Sequence, residues 1–273
     1  MVDYLRLSLT DRCNLNCVYC TPLEKAGFLK HDELLRHEEL ARAAAAFVRA
    51  GVTKIRLTGG EPLLKRNIVG LVHLLRAIPG LKELALTTNG LLLGPLAPEL
   101  RAAGLDRVNI SLDTLRRKTF QEITGSDGLA RVWEGINASL AAGFSEVKLN
   151  AVLMKGVNSG EAPDFARLTG ERPLTVRFIE FYPANARAAR LKGALFTTAE
   201  TKRSIEDALG PLEELPAARS DGPARVYKLP GAKGKIGFIS GPQQLFLRRL
   251  QPRAHGLHRP GLPLPVLARH PQP

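Results

Sequence analysis

Short strand-like segments and helix-length segments alternate along the first two thirds of this chain, and the alternation limits the folds open to it. Parallel strands need a long crossover, usually a helix, before the chain can re-enter the sheet. Repeated βαβ units therefore predict an α/β fold with a parallel sheet, in the form of a partial (β/α)6 barrel similar to a TIM barrel. The predicted strands are 4–10, 53–58, 83–87, 106–112, 146–153 and 174–181, and the predicted helices are 32–50, 67–77, 95–103, 116–142 and 162–168.

Polar motifs stand at or just after the ends of these strands. The segment 13–20 follows the first strand, Gly59-Gly60-Glu61-Pro62 follows the second, and 87–90 and 111–113 end the third and fourth. Ligands of open α/β sheets and barrels bind at the carboxyl ends of the strands. We therefore expect the chemistry of this chain to lie along one edge of its sheet.

The segment after the first strand holds all three cysteines of the chain, Cys13, Cys17 and Cys20, in the spacing C-x3-C-x2-C. Such clustered thiols do not form a disulfide framework, and in a reducing compartment they indicate metal ligands or redox groups. Three thiolates leave one position open on a four-coordinate zinc ion or on a four-iron cluster. A zinc site completed by His31 or His37 and a cluster with one open iron both fit this spacing.

Composition narrows the class of protein further. Hydrophobic residues make up 44% of the 273 residues and charged residues 24%, as in ordinary globular proteins. No apolar run approaches the roughly 20 residues of a membrane span, and the start of the chain lacks a signal-peptide pattern. We therefore expect a cytoplasmic protein without a membrane partner. The net charge of +13 would suit an anionic ligand, but an arginine-rich composition explains it at least as well, and we expect no nucleic-acid partner.

Seven segments carry a resemblance to known proteins: 5–13 (LRLSLTDRC), Tyr19-Cys20, 55–63 (IRLTGGEPL), 87–90 (TTNG), 109–113 (NISLD), 148–150 (KLN) and 177–181 (RFIEF). Together they resemble the radical S-adenosylmethionine (SAM) superfamily. Within it they resemble the MoaA family of GTP 3′,8-cyclases, which begin molybdenum cofactor (molybdopterin) biosynthesis. The similarity covers about residues 3 to 240, whereas the cysteine spacing alone would indicate only the superfamily.

The resemblance implies a ligand set for each part of the site. The cysteines Cys13, Cys17 and Cys20 would hold three irons of a [4Fe–4S] cluster, and SAM would bind the open iron and be cleaved to a 5′-deoxyadenosyl radical. The implied SAM contacts are Tyr19, Gly60, Ser111 and Tyr182, the last standing where the family usually has methionine. The implied GTP contacts, whose three cations suit a triphosphate, are Arg6, Arg56, Thr87 and Lys148.

The activity implied by the resemblance is that of a radical SAM lyase that converts GTP to (8S)-3′,8-cyclo-7,8-dihydroguanosine 5′-triphosphate. The radical would abstract the ribose 3′ hydrogen, so that C3′ attacks C8 of guanine. The family also implies an electron donor such as flavodoxin or ferredoxin. A homodimer is compatible with the sequence.

The C-terminal part departs from the family. Its members carry a second [4Fe–4S] cluster on a C-x2-C-x13-C pattern, and the open iron of that cluster holds guanine. Here Leu247 and Leu250 stand at the first two cysteine positions, and no cysteine follows Cys20. We therefore expect the second cluster to be absent and the activity to be impaired. The expected parts of the chain are a radical SAM core (1–190), an incomplete C-terminal subdomain (191–240) and an aberrant, frameshifted or disordered tail (241–273).

A frameshift would explain the tail, which is rich in proline and arginine and has no acidic residue. If Leu247, Leu250 and Leu264 are encoded CTG, a shift of one base gives the cysteine codon TGC wherever the next codon starts with C. The shifted reading frame then has cysteines in the C-x2-C-x13-C spacing of the family. We hypothesise an insertion or deletion a few codons before Phe246, and the absence of cysteine codons from the neighbouring frame of the genomic DNA would contradict it. A divergent tail with histidine ligands at 255 and 258 is the alternative.

Two other functions stay open at this level. One is a non-catalytic or single-cluster protein that binds SAM and a nucleotide, such as the product of a pseudogene. The other is a radical SAM enzyme that acts on another substrate.

Overall fold

The computed structural model describes residues 2–20, 28–29, 33–183, 185, 187–216, 218 and 222–240. Within these residues, nine strands form one sheet in the order β1-β2-β3-β4-β5-β6-β9-β8-β7. Because β1 and β7 are its two edges, the sheet is an open, partial barrel, as the sequence predicts. The strands are β1 (Tyr4–Ser8), β2 (Lys54–Thr58), β3 (Glu83–Thr88), β4 (Arg107–Ser111), β5 (Glu146–Leu153), β6 (Thr175–Glu180), β7 (Glu213–Glu214), β8 (Arg225–Lys228) and β9 (Lys235–Ile239).

Helices connect the first six strands, which are all parallel to their neighbours. The predicted helical segment 116–142 is two helices rather than one, because Gly125 ends the first in the left-handed conformation (φ 70°), which glycine adopts without steric cost. Among the described residues, no helix is long and apolar enough to cross a membrane. The helices are α1 (His37–Arg49), α2 (Ile68–Arg76), α3 (Leu93–Ala102), α4 (Arg117–Thr124), α5 (Leu129–Ala141), α6 (Ala162–Glu171) and α7 (Thr198–Leu209).

The segment after β6 extends the same sheet. Strand β9 pairs in parallel with β6, and β8 and β7 then add antiparallel strands. Helix α7 begins at a capping box, in which Thr197 and Glu200 satisfy each other's backbone N–H groups, and it packs against α6. The boundary predicted near residue 190 therefore does not interrupt the sheet. The tail 241–273, with the frameshift hypothesis and Leu247 and Leu250, lies outside the described residues.

The two faces of the sheet differ in chemistry. On one face, which we call the apolar face, side chains such as Leu57, Leu86 and Ile110 are fully buried beside the helices and form the main hydrophobic core. The alternate residues point to the opposite side, which we call the polar face, because side chains in a strand alternate with a period of two. Register then aligns the polar residues across neighbouring strands: Arg6 lies beside Arg56, and Lys148 lies in line with residues 87 and 109.

Candidate active site

The cysteine loop, residues 13–20, follows β1 as predicted. Cys13 and Cys20 are exposed, Cys17 is half-buried, and all three thiols are free. The surrounding protein keeps part of the water away from each thiol, and this desolvation is the main reason why its pKa is raised; a nearby carboxylate, Asp113, raises the pKa of Cys17 further. Thiols in this environment lose their protons when they bind a cationic metal centre, since thiolate ligation and deprotonation are coupled.

The first half of the loop is held by Asn89, at the end of β3. Its side-chain amide donates to Oδ1 of Asn14 at 2.7 Å and to Sγ of Cys13 at 3.7 Å. The backbone N–H of Asn89 donates in turn to Oε2 of Glu61 at 2.7 Å, and the hydroxyl of Thr88 donates to Oε1 at 2.8 Å. The carboxylate of Glu61, which is 1% exposed, therefore fixes Asn89, the residue that contacts Cys13.

Gly59 and Gly60 let the segment after β2 pack directly on the end of β1. A Cβ at Gly59 would lie 2.4 Å from the carbonyl oxygen of Thr10, and one at Gly60 would lie 2.2 Å from that of Arg12. The N–H groups of Gly60 and Glu61 donate to these two oxygens, each at 2.7 Å. The sequence suggested that the missing Cβ atoms let a ligand approach the glycines closely. In the structure, the backbone of Thr10 and Arg12 makes this close approach. A SAM contact at the exposed Gly60 stays a prediction.

The second half of the loop is held by Asp113, just after β4. The hydroxyl of Tyr19 donates to Oδ2 of Asp113 at 2.6 Å, and the N–H of Val152 donates to Oδ1 at 2.8 Å. Burial raises the pKa of Asp113 to about 6, although both of these hydrogen bonds favour the carboxylate. The ring of Tyr19 packs edge-on against Phe181, with ring centroids 6.5 Å apart. Tyr19 therefore has a packing role in this structure.

The four residues predicted to contact SAM all lie at the carboxyl edge of the sheet. Tyr19 and Gly60 are in the loops after β1 and β2, and Ser111 is the last residue of β4, opposite Asn150. Tyr182 follows β6 and is 55% exposed, so its ring is open to solvent. The topology thus brings them to one edge, and their contact with SAM stays a prediction.

The four residues predicted to contact GTP all lie on the polar face. Arg6 and Arg56 are register partners on β1 and β2. Thr87 and Lys148 lie in one row across β3 to β5, on either side of Asn109, whose amide donates to the hydroxyl of Thr87 at 3.5 Å. The structure therefore groups three cations and a hydroxyl on one surface.

Further cations on the polar face were not singled out from the sequence. Arg177 on β6 is 5% exposed, and its Nε donates to Oδ1 of Asn150 at 2.8 Å. Lys54, Arg107 and Lys148 are linked through Glu83 and Glu146 in a chain of ion pairs between 2.6 and 3.6 Å long. The alternation of charged and apolar residues within each strand was the signal that could have revealed them.

Arg56 has an unsatisfied buried donor. Its Nε is buried and has no hydrogen-bond partner among the described residues, and its guanidinium lies 5.6 Å from the ring centroid of Tyr4. Burial is the main cause that lowers its pKa, and the neighbouring Arg6 contributes. A buried donor with no partner in the described part of the chain leaves a place for an acceptor from a bound ligand. An oxyanion fits both the donor and the surrounding charge.

A single zinc ion would need all of its ligand atoms close to one point. Across the described part of the chain, no three His, Cys, Asp or Glu side chains converge closely enough to bind a single metal ion. His37 begins α1, and His31 lies outside the described residues. A [4Fe–4S] cluster places each thiolate on a different iron and does not need such convergence. The donor set of three free thiols in one loop therefore fits a cluster.

Comparison with known proteins agrees with this geometry. A model of the radical SAM superfamily matches residues 7–169. The GTP 3′,8-cyclase of Moorella thermoacetica is 46% identical over 264 residues, which are 96% of this chain and 81% of that protein. The GTP 3′,8-cyclase of Geobacter sulfurreducens is 48% identical over 246 residues, which are 88% of this chain and 73% of that protein.

Solved structures show the same fold at low sequence identity. The crystal structure of Streptococcus suis SuiB bound to S-adenosylmethionine has a TM-score of 0.62 at 18% identity, over 75% of this chain and 46% of that one. An open parallel sheet with three cysteines after its first strand defines a radical SAM protein, and the chain belongs to that superfamily. Within the superfamily, it belongs to the family of the GTP 3′,8-cyclases.

Proposed function

We propose that this chain is a radical SAM enzyme of molybdenum cofactor biosynthesis that acts on GTP as a 3′,8-cyclase. The observation that most strongly supports GTP as the substrate concerns Arg56. Among the described residues, the buried Nε of Arg56 has no hydrogen-bond partner, and the same sheet face also carries Arg6, Lys148 and Arg177. A nucleoside triphosphate supplies the oxygen acceptors and the negative charge that this face requires.

The cysteine loop holds the cofactor in this proposal. Cys13, Cys17 and Cys20 are the ligands of one [4Fe–4S] cluster, and, when bound, the cluster and SAM supply the one-electron chemistry of the superfamily. The carbonyl of Gly60 accepts a hydrogen bond from the SAM ammonium group, and Ser111 contacts the rest of SAM. Tyr182, exposed beside this edge, has a ring that is free to stack on the adenine.

The polar face binds and orients the substrate. Arg6, Arg56 and Lys148 bind the triphosphate, and Thr87 contributes a hydroxyl whose orientation Asn109 fixes. Lys148 is 2% exposed and is paired with Glu146 at 2.9 Å, so its ammonium group is already oriented before GTP arrives. Such preorganisation reduces the ordering that binding requires.

The sequence places a limit on turnover. No cysteine follows Cys20, so we propose that the chain carries a single cluster and that the guanine base lacks the anchor which a second cluster provides in the family. Turnover is therefore impaired, while binding of the triphosphate depends on the polar face and is retained.

We also propose an acidic redox protein, such as flavodoxin or ferredoxin, as the electron donor. A surface cavity of about 430 Å³ lies beside the cysteine loop, between the start of α1 and residues 62–67. Its charged lining residues, among those described, are the four cations Arg12, Arg36, Lys65 and Arg66 and one acid, Glu38. Arg12 immediately precedes Cys13 and is exposed. A partner of opposite charge would therefore dock close to the cluster. The free thiols also favour a reducing, cytoplasmic location.

Anaerobic reconstitution tests the proposal. The loaded chain should hold about four irons, and reductive cleavage of SAM should depend on GTP, with the cyclised nucleotide detected by mass spectrometry. Cys17→Ala is the matched control and should abolish cleavage. About eight irons per chain would contradict the single cluster, and SAM cleavage that is indifferent to GTP would contradict the choice of substrate.

A further inference from the structure

We propose that two buried carboxylates, Glu61 and Asp113, hold the cysteine loop at its two ends, and that Asn89 and Tyr19 are the positioning residues through which they act on the cluster ligands. This inference rests on the proposed function only in assigning a cluster to the three cysteines. It adds that the two ends of the loop control different properties of the cluster: Asn89 its reduction potential, and Tyr19 its retention.

The Glu61 end carries a hydrogen bond to a ligand sulfur. Glu61 accepts from the backbone N–H of Asn89 and from the hydroxyl of Thr88, at 2.7 and 2.8 Å. It is thereby fixed between β2 and β3. The amide Nδ2 of Asn89 then reaches Sγ of Cys13 at 3.7 Å. N–H donors to cluster sulfurs stabilise the more negative, reduced state and so set the reduction potential.

At the Asp113 end, no hydrogen bond among the described residues joins Asp113 or Tyr19 to a ligand sulfur. Asp113 binds the hydroxyl of Tyr19 at 2.6 Å, and Tyr19 lies between the ligands Cys17 and Cys20 in the chain. The carbonyl oxygens of Tyr19 and Cys20 accept from the amide of Asn185, both at 3.1 Å. This end therefore fixes where the second and third thiols lie through hydrogen bonds to Tyr19 and to the loop backbone, and the charge of Asp113 reaches Cys17 and Cys20 only through space.

Asp113 is itself held on three sides. Val152 donates its N–H to one carboxylate oxygen at 2.8 Å. The amide of Asn158 donates to the backbone carbonyl of Asp113 at 2.6 Å and to that of Val152 at 2.9 Å. Through Asp113, Tyr19 is thus held in a fixed position relative to β4 and β5. These two strands also carry Ser111 and Lys148. The carboxylate of Asp113 therefore fixes the position of the cluster ligands relative to the residues predicted to contact SAM and GTP.

The first test is the reduction potential of the reconstituted cluster, measured by EPR-monitored titration without GTP. Asn89→Leu removes the N–H donor to Cys13 and should shift the reduction equilibrium about tenfold toward the oxidised state, which is about 59 mV for a one-electron couple. Asn14→Ala is the matched control, because it removes the other partner of the same amide and leaves the donor to sulfur in place. It should leave the potential unchanged. An unchanged potential in Asn89→Leu, or an equal shift in both variants, would overturn the assignment.

The second test is the rate at which a chelator removes iron from the cluster. Tyr19→Phe and Asp113→Ala should each release iron about ten- to a hundredfold faster than the unsubstituted chain. The double variant should be no faster than Asp113→Ala alone, because in that variant the Tyr19 hydroxyl has already lost its partner. Asp113→Asn should restore slow release, since an amide can still hydrogen-bond both Tyr19 and Val152. Release at the original rate in Tyr19→Phe, or additive effects in the double variant, would contradict the role of the pair.

Both measurements use the loaded chain without substrate, so they separate this inference from the proposed function. A chain that shows the predicted shifts but ignores GTP would support the two anchors and contradict the cyclase. A chain that binds GTP and cleaves SAM but shows neither shift would support the cyclase and overturn the anchors. Thermal unfolding of the metal-free variants shows whether any loss of iron reflects global instability instead.

Discussion

The two faces of the sheet are built from the same strands and perform different tasks. On the apolar face, residues such as Leu57, Leu84 and Leu86 are 0% exposed and pack beneath the helices. On the polar face, Lys148 is paired with Glu146, and the buried Nε of Arg56 has no hydrogen-bond partner among the described residues. One face therefore stabilises the fold, and the other remains polar at a cost that a bound anion would offset.

The comparison implies that substitutions on the two faces should separate stability from binding. Apolar burial contributes to folding whether or not a ligand is present. The cations of the polar face repel one another in the free protein and become favourable when an anion binds. The predictions below follow this separation, from the largest effect to the smallest.

The largest loss of stability is expected on the apolar face. Leu84→Ala should lower the free energy of unfolding by about 2–5 kcal/mol, because it leaves a cavity in a fully packed core. Urea unfolding of the metal-free chain measures it. The control is Leu64→Ala, at a side chain that is 41% exposed, which should change stability by less than about 1 kcal/mol. A changed affinity for GTP in the folded Leu84→Ala protein would break the separation of the faces.

The largest loss of binding is expected on the polar face. Arg56→Met should weaken GTP binding about 100-fold, or about 2.7 kcal/mol, because it removes the buried donor that has no partner among the described residues. Calorimetric titration of the loaded chain gives the dissociation constant. Arg203→Met, at an exposed position on α7, removes the same charge away from this face and should leave the affinity unchanged. Equal affinities in the two variants would contradict the site.

Binding on the polar face should in turn stabilise the apolar core. At a GTP concentration about twenty times the dissociation constant, the free energy of unfolding should rise by about 1.8 kcal/mol. The same concentration should give almost no rise in Arg56→Met, since its sites are largely empty. Thermal unfolding with and without GTP measures the difference. Equal stabilisation of both proteins would place the nucleotide elsewhere.

The smallest effect concerns the surface beside the cysteine loop, outside both faces. Arg36→Glu should slow flavodoxin-supported SAM cleavage about tenfold at low salt, since it weakens attraction to an acidic donor. Cleavage supported by dithionite, which needs no docking, should keep its rate. The control is Arg203→Glu, which reverses the charge of an exposed residue on α7. Equal slowing with both reductants would show damage to the site rather than a lost docking contact.

The sequence predicts the sheet well and the anchors of the loop poorly. All six predicted strands are confirmed to within two residues, because alternation and buried apolar runs depend on local pattern. The helical region predicted over 116–142 is confirmed, and it consists of two helices because the glycines at 125 and 128 divide it. The strands after residue 210 were not predicted, because they are short and their pairing with β6 is set by distant contacts.

Glu61 and Asp113 show why the site was harder to predict. Both belong to motifs that the sequence assigned to ligands, yet the structure uses them to bind the protein's own backbone and side chains. Which N–H group a buried carboxylate accepts from depends on strand register, and no local pattern reveals it. Tyr19 illustrates the same limit, since its hydroxyl partner lies 94 residues away in the chain.

The most direct test of the central claim follows one hydrogen atom. The reconstituted chain is supplied with SAM, dithionite and GTP that carries deuterium at the ribose C3′, and the 5′-deoxyadenosine formed is analysed by mass spectrometry. We predict slow turnover in which the 5′-deoxyadenosine carries deuterium, because the polar face places GTP on the sheet whose edge holds the cluster. Formation of 5′-deoxyadenosine without deuterium would contradict a GTP 3′,8-cyclase.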